Sequence, residues 1–345
     1  MNKNQILLEK GSFPKLLLNL CLPTVIVMLV MVVYNMADIF FIGQTGDPDK
    51  IAALSLCTPL FTILSGLGTL LGSGGCTAAS IAFGRGEIQK IKTYTSFCFY
   101  GSLFIGGLFL VIILIILEPV SILLGADADT LPQTCSYLRI IAIGAPVILF
   151  TNVFTNLIRS DGAAKESMIA NGIGTLSNIA LDALFILVFS WDVAGAALAT
   201  VLGNVLSALY LIFYITRKQP AFSLSFKYFS LKPEVFGKII PLGIPIAAST
   251  ILMSFSNMLS NRLMVGHGAS FLAAQSISGK IGMLITMIVM GICMGMQPAV
   301  SYNFGAGRSE RMYDILKKTG IFTVAAGTCM TLACFFARNV ILTSF

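Results

Sequence analysis

Nine long apolar stretches run through this 345-residue chain and constrain its fold more than any other feature. Each is about as long as, or longer than, the ~20 residues that an α-helix needs to cross a hydrocarbon core, whereas a spanning β-strand needs only about ten. Seven stretches are uncharged: Leu16–Ala37, Ile51–Gly84, Thr93–Leu117, Ile140–Ile158, Val193–Thr216, Ile239–Asn261 and Thr319–Ala337. Two contain one charge each, Asp182 in Ser167–Trp191 and Lys280 in Phe271–Gly307. The sequence therefore predicts an all-α polytopic membrane protein with nine membrane helices.

The composition fits a chain whose main partner is the lipid bilayer. Hydrophobic residues make up 56% of the sequence and charged residues only 11%, which is unlike a soluble domain. The eight cysteines form no C-x-x-C pair and the chain has one histidine, so neither a zinc site nor a disulfide framework is predicted. There is no G-x-x-x-x-G-K-[ST] sequence, and we therefore expect no ATP and no cofactor.

Lysine and arginine are distributed unevenly between the predicted loops. When the predicted helices alternate in direction, 17 of the 22 basic residues fall on the side of the N-terminus and three on the opposite side. Because basic residues accumulate in cytoplasmic loops, the N-terminus is predicted to be cytoplasmic. The net charge of +7 is explained by this bias, and no nucleic-acid partner is inferred from it.

An internal repeat relates residues about 221 positions apart. Asn35-Met36 returns as Asn257-Met258, and Phe83-Gly84-x-Gly86 returns as Phe304-Gly305-x-Gly307. Six predicted helices precede the second copy, and this even number means that both copies start in the same orientation. Parallel repeats of this kind are typical of some secondary transporters.

The repeat divides the chain into three parts. Residues 1–217 are predicted to form a six-helix lobe, 218–238 a basic cytoplasmic linker, and 239–345 the first three helices of a second lobe. By analogy between the copies, a twelve-helix version would end near residue ~437, so we expect a truncated form. A genuine nine-helix protein is the alternative.

Two aspartates, one inside an apolar stretch and one directly after another, are the first candidates for a functional site, because a charge in a membrane span is costly. Asp38 follows 22 uncharged residues, which places it toward the outer side. Asp182 lies ~15 Å before the external Asp192 along its helix, and Thr200 lies ~12 Å after it on the next helix. These three residues are predicted to share one level of the membrane.

The neighbours of the aspartates add oxygen ligands. Asn178 precedes Asp182 by four residues, and Tyr34 precedes Asp38 by four, so each pair shares a helix face. An all-oxygen set suits Na⁺ or a proton relay and not a transition metal. Two close carboxylates cannot both ionise cheaply, so one is expected to exchange a proton near neutral pH. The alternative is that each aspartate is a structural group hydrogen-bonded to a neighbouring helix.

Other unusual residues are candidates for the substrate path. Lys280 lies deep in its span, and Met287 and Met290 belong to a methionine-rich stretch that would provide an adaptable apolar wall. The ordinary alternative is that these methionines face lipid or pack in the core. Arg139 is near a helix end, where it can extend to the interface or meet Glu118.

Several motifs in this order resemble the multidrug and toxic compound extrusion (MATE) family, nearest to its MepA-like branch. They are Tyr34-x-x-x-Asp38-x-x-Phe41-Ile42-Gly43, the two Phe-Gly-x-Gly sequences, Tyr137-Leu138-Arg139, Arg159-x-x-Gly162 and Asn178-x-x-x-Asp182. The resemblance covers essentially the whole chain. It implies two six-helix lobes arranged as a V, with a drug cavity between them.

The same resemblance implies a function and a site. The function is H⁺- or Na⁺-coupled export of cationic or amphipathic small molecules by a monomer in a bacterial plasma membrane, without enzymatic activity. The coupling cation would be held by residues that match Asp38, Asn178, Asp182 and Thr200, and Asn152 matches a further polar position. Na⁺ at Asp38 and Asp182 is the only metal expected.

Two other functions stay open at this point. A flippase of a lipid-linked precursor would share the duplicated architecture but should line its cavity with several cations, for which Lys280 and Arg139 are the candidates. A membrane-embedded aspartyl protease would need Gly-x-Gly-Asp, whereas the aspartates here stand in Asn-Met-Ala-Asp and Ala-Leu-Asp-Ala.

Overall fold

Almost all of the chain that the computed structural model describes, residues 3–218, 221–265 and 269–336, is helical, with short turns between the helices. The α-helices in chain order are α1 (Lys3–Lys10), α2 (Phe13–Leu16), α3 (Leu22–Gly43), α4 (Pro48–Arg85), α5 (Ile88–Ile115), α6 (Leu117–Leu123), α7 (Leu131–Leu157), α8 (Ala164–Asp182), α9 (Asp192–Lys218), α10 (Pro233–Val265), α11 (Ala269–Gly305) and α12 (Ser309–Phe336).

Eight segments among the described residues are long and apolar enough to cross a membrane. They are Phe13–Tyr34, Pro48–Arg85, Ile88–Ile115, Leu131–Asp161, Ala164–Val188, Asp192–Lys218, Gly282–Gly305 and Ser309–Phe336. The all-helical membrane fold is thereby confirmed. The predicted seventh span falls in α10, several of whose side chains lie outside the description, so the count of nine stays a prediction.

Two π-helical turns interrupt the long helices. The first, Leu17–Cys21, connects α2 to α3 just before Pro23, which has no N–H to continue an α-helical ladder. The second, Ala183–Val188, follows Asp182 directly. Such turns often occur at functional sites, and this one places Asp182 where α8 changes its winding.

The most enclosed helix of the first copy is α7, which packs against α4, α5 and α9. Small residues permit the close contacts: a Cβ on Gly106 of α5 would lie 2.4 Å from the Cα of Pro146. Since lipid tails are as apolar as leucine, membrane helices associate mainly through such close packing. The helix therefore forms a rigid centre for the polar side chains that it carries.

The contacts of α4 and α11 follow the internal repeat. A Cβ on Gly74 of α4 would lie 2.1 Å from the carbonyl oxygen of Ile239 in α10, and one on Gly295 of α11 would lie 2.7 Å from the Cα of Cys21. Gly74 and Gly295 are 221 residues apart. A two-fold relationship between parallel copies produces reciprocal contacts of this kind. The lobe boundaries, 1–217, 218–238 and 239–345, stay predictions.

The N-terminal helix α1 connects the two copies at one end of the bundle. Gln5 donates a hydrogen bond to Asp161 in the α7–α8 turn (2.9 Å). The buried Asn303 of α11 donates to the carbonyl oxygen of Leu8 (3.0 Å), and Arg308 forms a salt bridge with Glu9. This short helix therefore holds α7 and α11 together at the predicted cytoplasmic side.

Candidate functional site

A cavity of about 360 Å³ lies among helices of both repeat copies. Helices α3, α4, α7, α8 and α9 supply its walls on one side, and α10 and α11 close the other. Its lining is polar where α7, α8 and α9 meet and apolar toward α3 and α11. The volume is at the small end of the range found for ligand pockets.

The first candidate residues meet at one part of this cavity. Asn178 and Thr200 line it, and both are about 1% exposed; Asp182, one turn beyond Asn178, is fully buried. When the Asn178 carboxamide is oriented to satisfy both its groups, its nitrogen donates to Asp182 Oδ2 (3.2 Å) and its oxygen accepts from the Thr200 backbone N–H (3.2 Å). A buried carboxylate is thus linked directly to the cavity wall.

Tyr34 extends this cluster to the first membrane helix. Its phenol oxygen lies 3.0 Å from the hydroxyl of Thr200, and it lines the same cavity. Asp38 follows one turn later in α3, but its side chain lies outside the described residues. The structure therefore brings Tyr34, Asn178, Asp182 and Thr200 together, while the position of the Asp38 carboxylate is left as predicted.

Asn152 also lines the cavity, at a level away from Asp182. The neighbouring Thr151 hydroxyl donates to the carbonyl oxygen of Asn204, one turn beyond Thr200 in α9 (3.2 Å). Asn152 lies close against α4, because Gly68 leaves room there for its Cβ. Asn152 is therefore part of the cavity wall. None of the contacts described for it reaches the Asp182 carboxylate.

The predicted substrate-path residues, Lys280, Met287 and Met290, all belong to α11. Met287 and Met290 line the cavity from α11, with Met28, Met31 and Met294 also in its wall. Lys280 belongs to α11, but its side chain lies outside the described residues. Arg139 is exposed on α7. The methionine stretch is thus placed at the cavity.

Sequence reasoning missed the polar end of the cavity opposite Asp182. Arg159 lines it from the turn after α7, is only 3% exposed, and donates to the side-chain oxygen of Asn156. Within the described chain, no carboxylate lies within salt-bridge distance of its guanidinium, and its Nε has no hydrogen-bond partner. Ser167 and Asn171 of α8 share this end of the cavity.

A periodic signal for this end was present in the sequence. Asn152, Asn156 and Arg159 are spaced four and three residues apart, and Ser167, Asn171 and Asn178 are spaced four and seven residues apart, which is one and two helical turns. Such spacing puts each set on one helix face. Spacing alone, however, does not show that the two faces oppose each other across a cavity.

Known proteins show the same architecture and related sequences. The MatE family model matches residues 23–184 and 245–345. The multidrug export protein MepA of Staphylococcus saprophyticus is 34% identical over 309 residues, covering 90% of this chain and 68% of that protein. MepA of Staphylococcus aureus strain NCTC 8325 is 33% identical with the same coverage.

Solved structures agree at the level of the fold. An outward-facing multidrug resistance MATE transporter superposes with a TM-score of 0.92 at 24% identity, covering 99% of this chain and 76% of that one. A MOP-superfamily transporter from Pyrococcus furiosus gives 0.87 at 24% identity, covering 96% and 73%. With the family model spanning both repeat copies, the chain belongs to the MatE family of membrane transporters.

Proposed function

We propose that this protein exports cationic or amphipathic small molecules in exchange for H⁺ or Na⁺, by alternating access. One observation carries the proposal: the buried Asp182 is hydrogen-bonded to Asn178, which lines a cavity built by helices of both copies. The related MepA proteins are named multidrug export proteins, which supports the same class of cargo. A bacterial plasma membrane, a cytoplasmic N-terminus and a monomeric state belong to this proposal.

The burial of Asp182 gives a reason for cation coupling. A charged carboxylate in a membrane span costs about 2.5–3.5 kcal/mol on insertion scales. A proton removes the charge, and Na⁺ compensates it with the all-oxygen ligands that it prefers. Cation binding should therefore stabilise the packed arrangement of α8 around Asp182, and loss of the cation should loosen it.

The cavity wall gives a reason for a varied cargo. Thioether side chains are flexible and polarizable, so Met287, Met290 and the methionines of α3 can adapt to different apolar rings. A cationic ligand entering the same cavity gains from the negative charge of a deprotonated Asp182. The cation and the drug then compete for one charge, which is the simplest physical basis for antiport.

The energetics are sufficient for export. If one proton is exchanged for one monovalent drug, no net charge moves, and each unit of pH difference supplies about 1.4 kcal/mol. One pH unit thus supports a roughly tenfold concentration ratio. If the exchanged charges differ, each uncompensated charge adds about 2.3 kcal/mol per 100 mV.

The flippase alternative is less well supported by the cavity. A pyrophosphate cargo calls for several cations in the wall. Among the lining side chains that the structure describes, Arg159 is the one lysine or arginine. The cavity chemistry therefore favours an organic cation or amphiphile.

The proposal is tested with the purified full chain and ethidium as a monovalent cationic probe. We expect ethidium affinity to fall as the pH decreases from 8 to 6, and ethidium binding at neutral pH to release protons into a weakly buffered solution. Asp182→Asn should bind ethidium with no pH dependence. Asp129→Asn, which changes an exposed acid outside the spans, should behave like the parent protein.

Each part of the proposal has its own contradicting outcome. If the parent protein shows no saturable ethidium binding, the proposal that the cavity binds cationic drugs is contradicted. Binding that is indifferent to both pH and Na⁺ would overturn coupling. A dependence on Na⁺ at constant pH would identify Na⁺ as the coupling ion. Ethidium accumulation in cells that express the chain or Asp182→Asn then tests export itself.

A further inference from the structure

A second pocket, of about 300 Å³, lies away from the central cavity, where the start of α5 meets the segment before α10. Four lysines line it: Lys90, Lys227, Lys232 and Lys238. The two chain segments are separated by more than 130 residues, so folding assembles this charge cluster. It lies at the side of the bundle that is predicted to be cytoplasmic.

The positive charge of this pocket is only partly compensated. Lys90 forms a salt bridge with Glu87 (2.9 Å). Over the part of the chain that the structure covers, no carboxylate lies within 4 Å of Lys227, Lys232 or Lys238. Glu234 is the one acidic side chain in the lining. Three ammonium groups are therefore available to an anionic ligand.

The backbone around the lysines is held in place before any ligand binds. The Ser96 hydroxyl lies within hydrogen-bond distance of the carbonyl oxygens of Ser223 (2.9 Å) and Ser225 (3.0 Å). Tyr100 donates to the carbonyl oxygen of Leu224 (3.1 Å). The chain then enters the 3₁₀ turn Phe226–Tyr228, which carries Lys227. A fixed backbone lowers the entropic cost of binding.

Aromatic packing adds to this order. The rings of Phe226 and Phe229 lie 5.4 Å apart, and both pack edge-on against Tyr100, at 5.2 and 5.3 Å. Lys92 places its ammonium 5.2 Å from the centre of the ring of Tyr228, which lines the pocket. The segment is thus bound to α5, and its Lys227 and Lys232 line one pocket.

Apolar side chains next to the pocket point to a lipid as its occupant. Phe226, Leu231 and Phe236 are 67, 72 and 54% exposed, although they flank a basic cluster. The pocket also lies at the start of the Ile88–Ile115 span, which is the level of the headgroups. Exposed apolar residues beside lysines at this level are typical of segments that lie in the interface.

We propose that this pocket binds the phosphate headgroup of an anionic phospholipid from the leaflet on the predicted cytoplasmic side. The ammonium groups of Lys227, Lys232 and Lys238 would contact the phosphate, while Phe226 and Leu231 insert beside the acyl chains. Basic pockets between membrane helices bind such headgroups in this way. A soluble phosphate would use the lysines but not the exposed apolar residues. The site is independent of the proposed transport function.

The test uses the delipidated full chain, titrated with dioleoyl phosphatidylglycerol or dioleoyl phosphatidylcholine and analysed by native mass spectrometry. We expect the protein to prefer phosphatidylglycerol. Each lysine near an anionic headgroup contributes roughly a fivefold change in affinity, so Lys227→Gln/Lys232→Gln/Lys238→Gln should reduce the preference by about 100-fold. Lys15→Gln/Lys165→Gln/Lys317→Gln removes the same charge from exposed positions on the same predicted face and should retain the preference.

The controls separate the proposal from its alternatives. An equal loss in both triple variants would show diffuse attraction and overturn a defined pocket. Effective competition by sn-glycerol 3-phosphate would overturn the choice of a lipid over a soluble phosphate. Phe226→Ser/Leu231→Ser should weaken phosphatidylglycerol binding without changing the effect of salt, and unchanged binding in that variant would contradict insertion of these side chains.

Discussion

The phenol oxygen of Tyr34 lies 3.0 Å from the hydroxyl oxygen of Thr200, which joins the first membrane helix to α9. The backbone N–H of Thr200 donates to the carboxamide of Asn178, and that carboxamide donates to Asp182. Thr200 therefore connects α3 with the buried carboxylate through two different groups, its hydroxyl toward Tyr34 and its backbone N–H toward Asn178. We therefore expect a change of charge at Asp182 to alter the packing of α3 through these contacts.

Tyr34→Phe should weaken the pH dependence of drug binding without abolishing drug binding. The substitution keeps the ring and removes one hydrogen bond, whose net value is about 0.5–1.5 kcal/mol. We expect the ratio of ethidium affinities at pH 8 and pH 6 to fall by about two- to tenfold. Tyr313→Phe, at an exposed position of α12, serves as the control.

Thr200→Val tests whether Tyr34 acts through Thr200. Valine keeps the shape and the backbone N–H but removes the hydroxyl. The Tyr34→Phe/Thr200→Val double variant should change the pH ratio no more than either single variant, because both remove the same bond. Additive losses in this double-mutant cycle would contradict a shared contact.

Arg159→Gln should strengthen the binding of a monovalent cation. The guanidinium lines the cavity without a carboxylate partner among the described residues, so it opposes cationic ligands by about 1–2 kcal/mol at an effective dielectric constant near 20. We expect ethidium affinity to rise about fivefold to thirtyfold. Glutamine can still donate to Asn156, and Arg159→Lys, which retains the charge, should bind ethidium as the parent protein does.

Most of the candidate site could be predicted from the sequence, because the spacing of residues along a helix gives their depth in the membrane and the helix face that they share. The count from Asp192 placed Asp182 and Thr200 at one level, and the structure brings their helices into contact there through Asn178. The spacing of four residues also put Asn178 and Asp182 on one helix face, where the structure joins them by a hydrogen bond. These relationships lie within one helix or between helices adjacent in the chain, where the rise per residue is enough to calculate the depth of each side chain.

The parts that could not be predicted depend on how distant helices meet. Arg159 was recognised as part of a turn motif, but its place in the cavity results from the crossing of α7 with α8. The π-helical turn after Asp182 rotates the following residues around the helix axis. A regular α-helical periodicity does not predict this rotation. The contacts of α1 with Asp161 and Asn303 join residues 156 and 295 positions apart.

Gly84→Ala should destabilise the protein, whereas Gly107→Ala should not. A Cβ on Gly84 would lie 2.1 Å from the carbonyl oxygen of Tyr302, so α4 and α11 would have to move apart; overpacking of this kind costs about 1–3 kcal/mol. Gly107 has no neighbour within 4 Å of such a Cβ, and alanine favours a helix by up to ~1 kcal/mol. Thermal unfolding in one detergent measures both, and equal melting temperatures for the two variants would contradict the close contact.

The salt bridge between Glu9 and Arg308 should stabilise the protein only above strongly acidic pH. The hydrogen bond from Arg308 holds the pKa of Glu9 below its ordinary value of 4.5. A carboxyl group with a lowered pKa in the folded state contributes stability above its unfolded pKa and loses that contribution as the pH falls through the folded value. Glu9→Gln should therefore lower the melting temperature at pH 7 and have no effect at a pH well below 4.5.

Glu310→Gln, at an exposed position on α12, should have little effect at either pH. Because the Arg308 side chain is 43% exposed, 0.5 M salt should reduce the difference at pH 7; a difference that persists in strong acid would show that the carboxylate charge is not its cause.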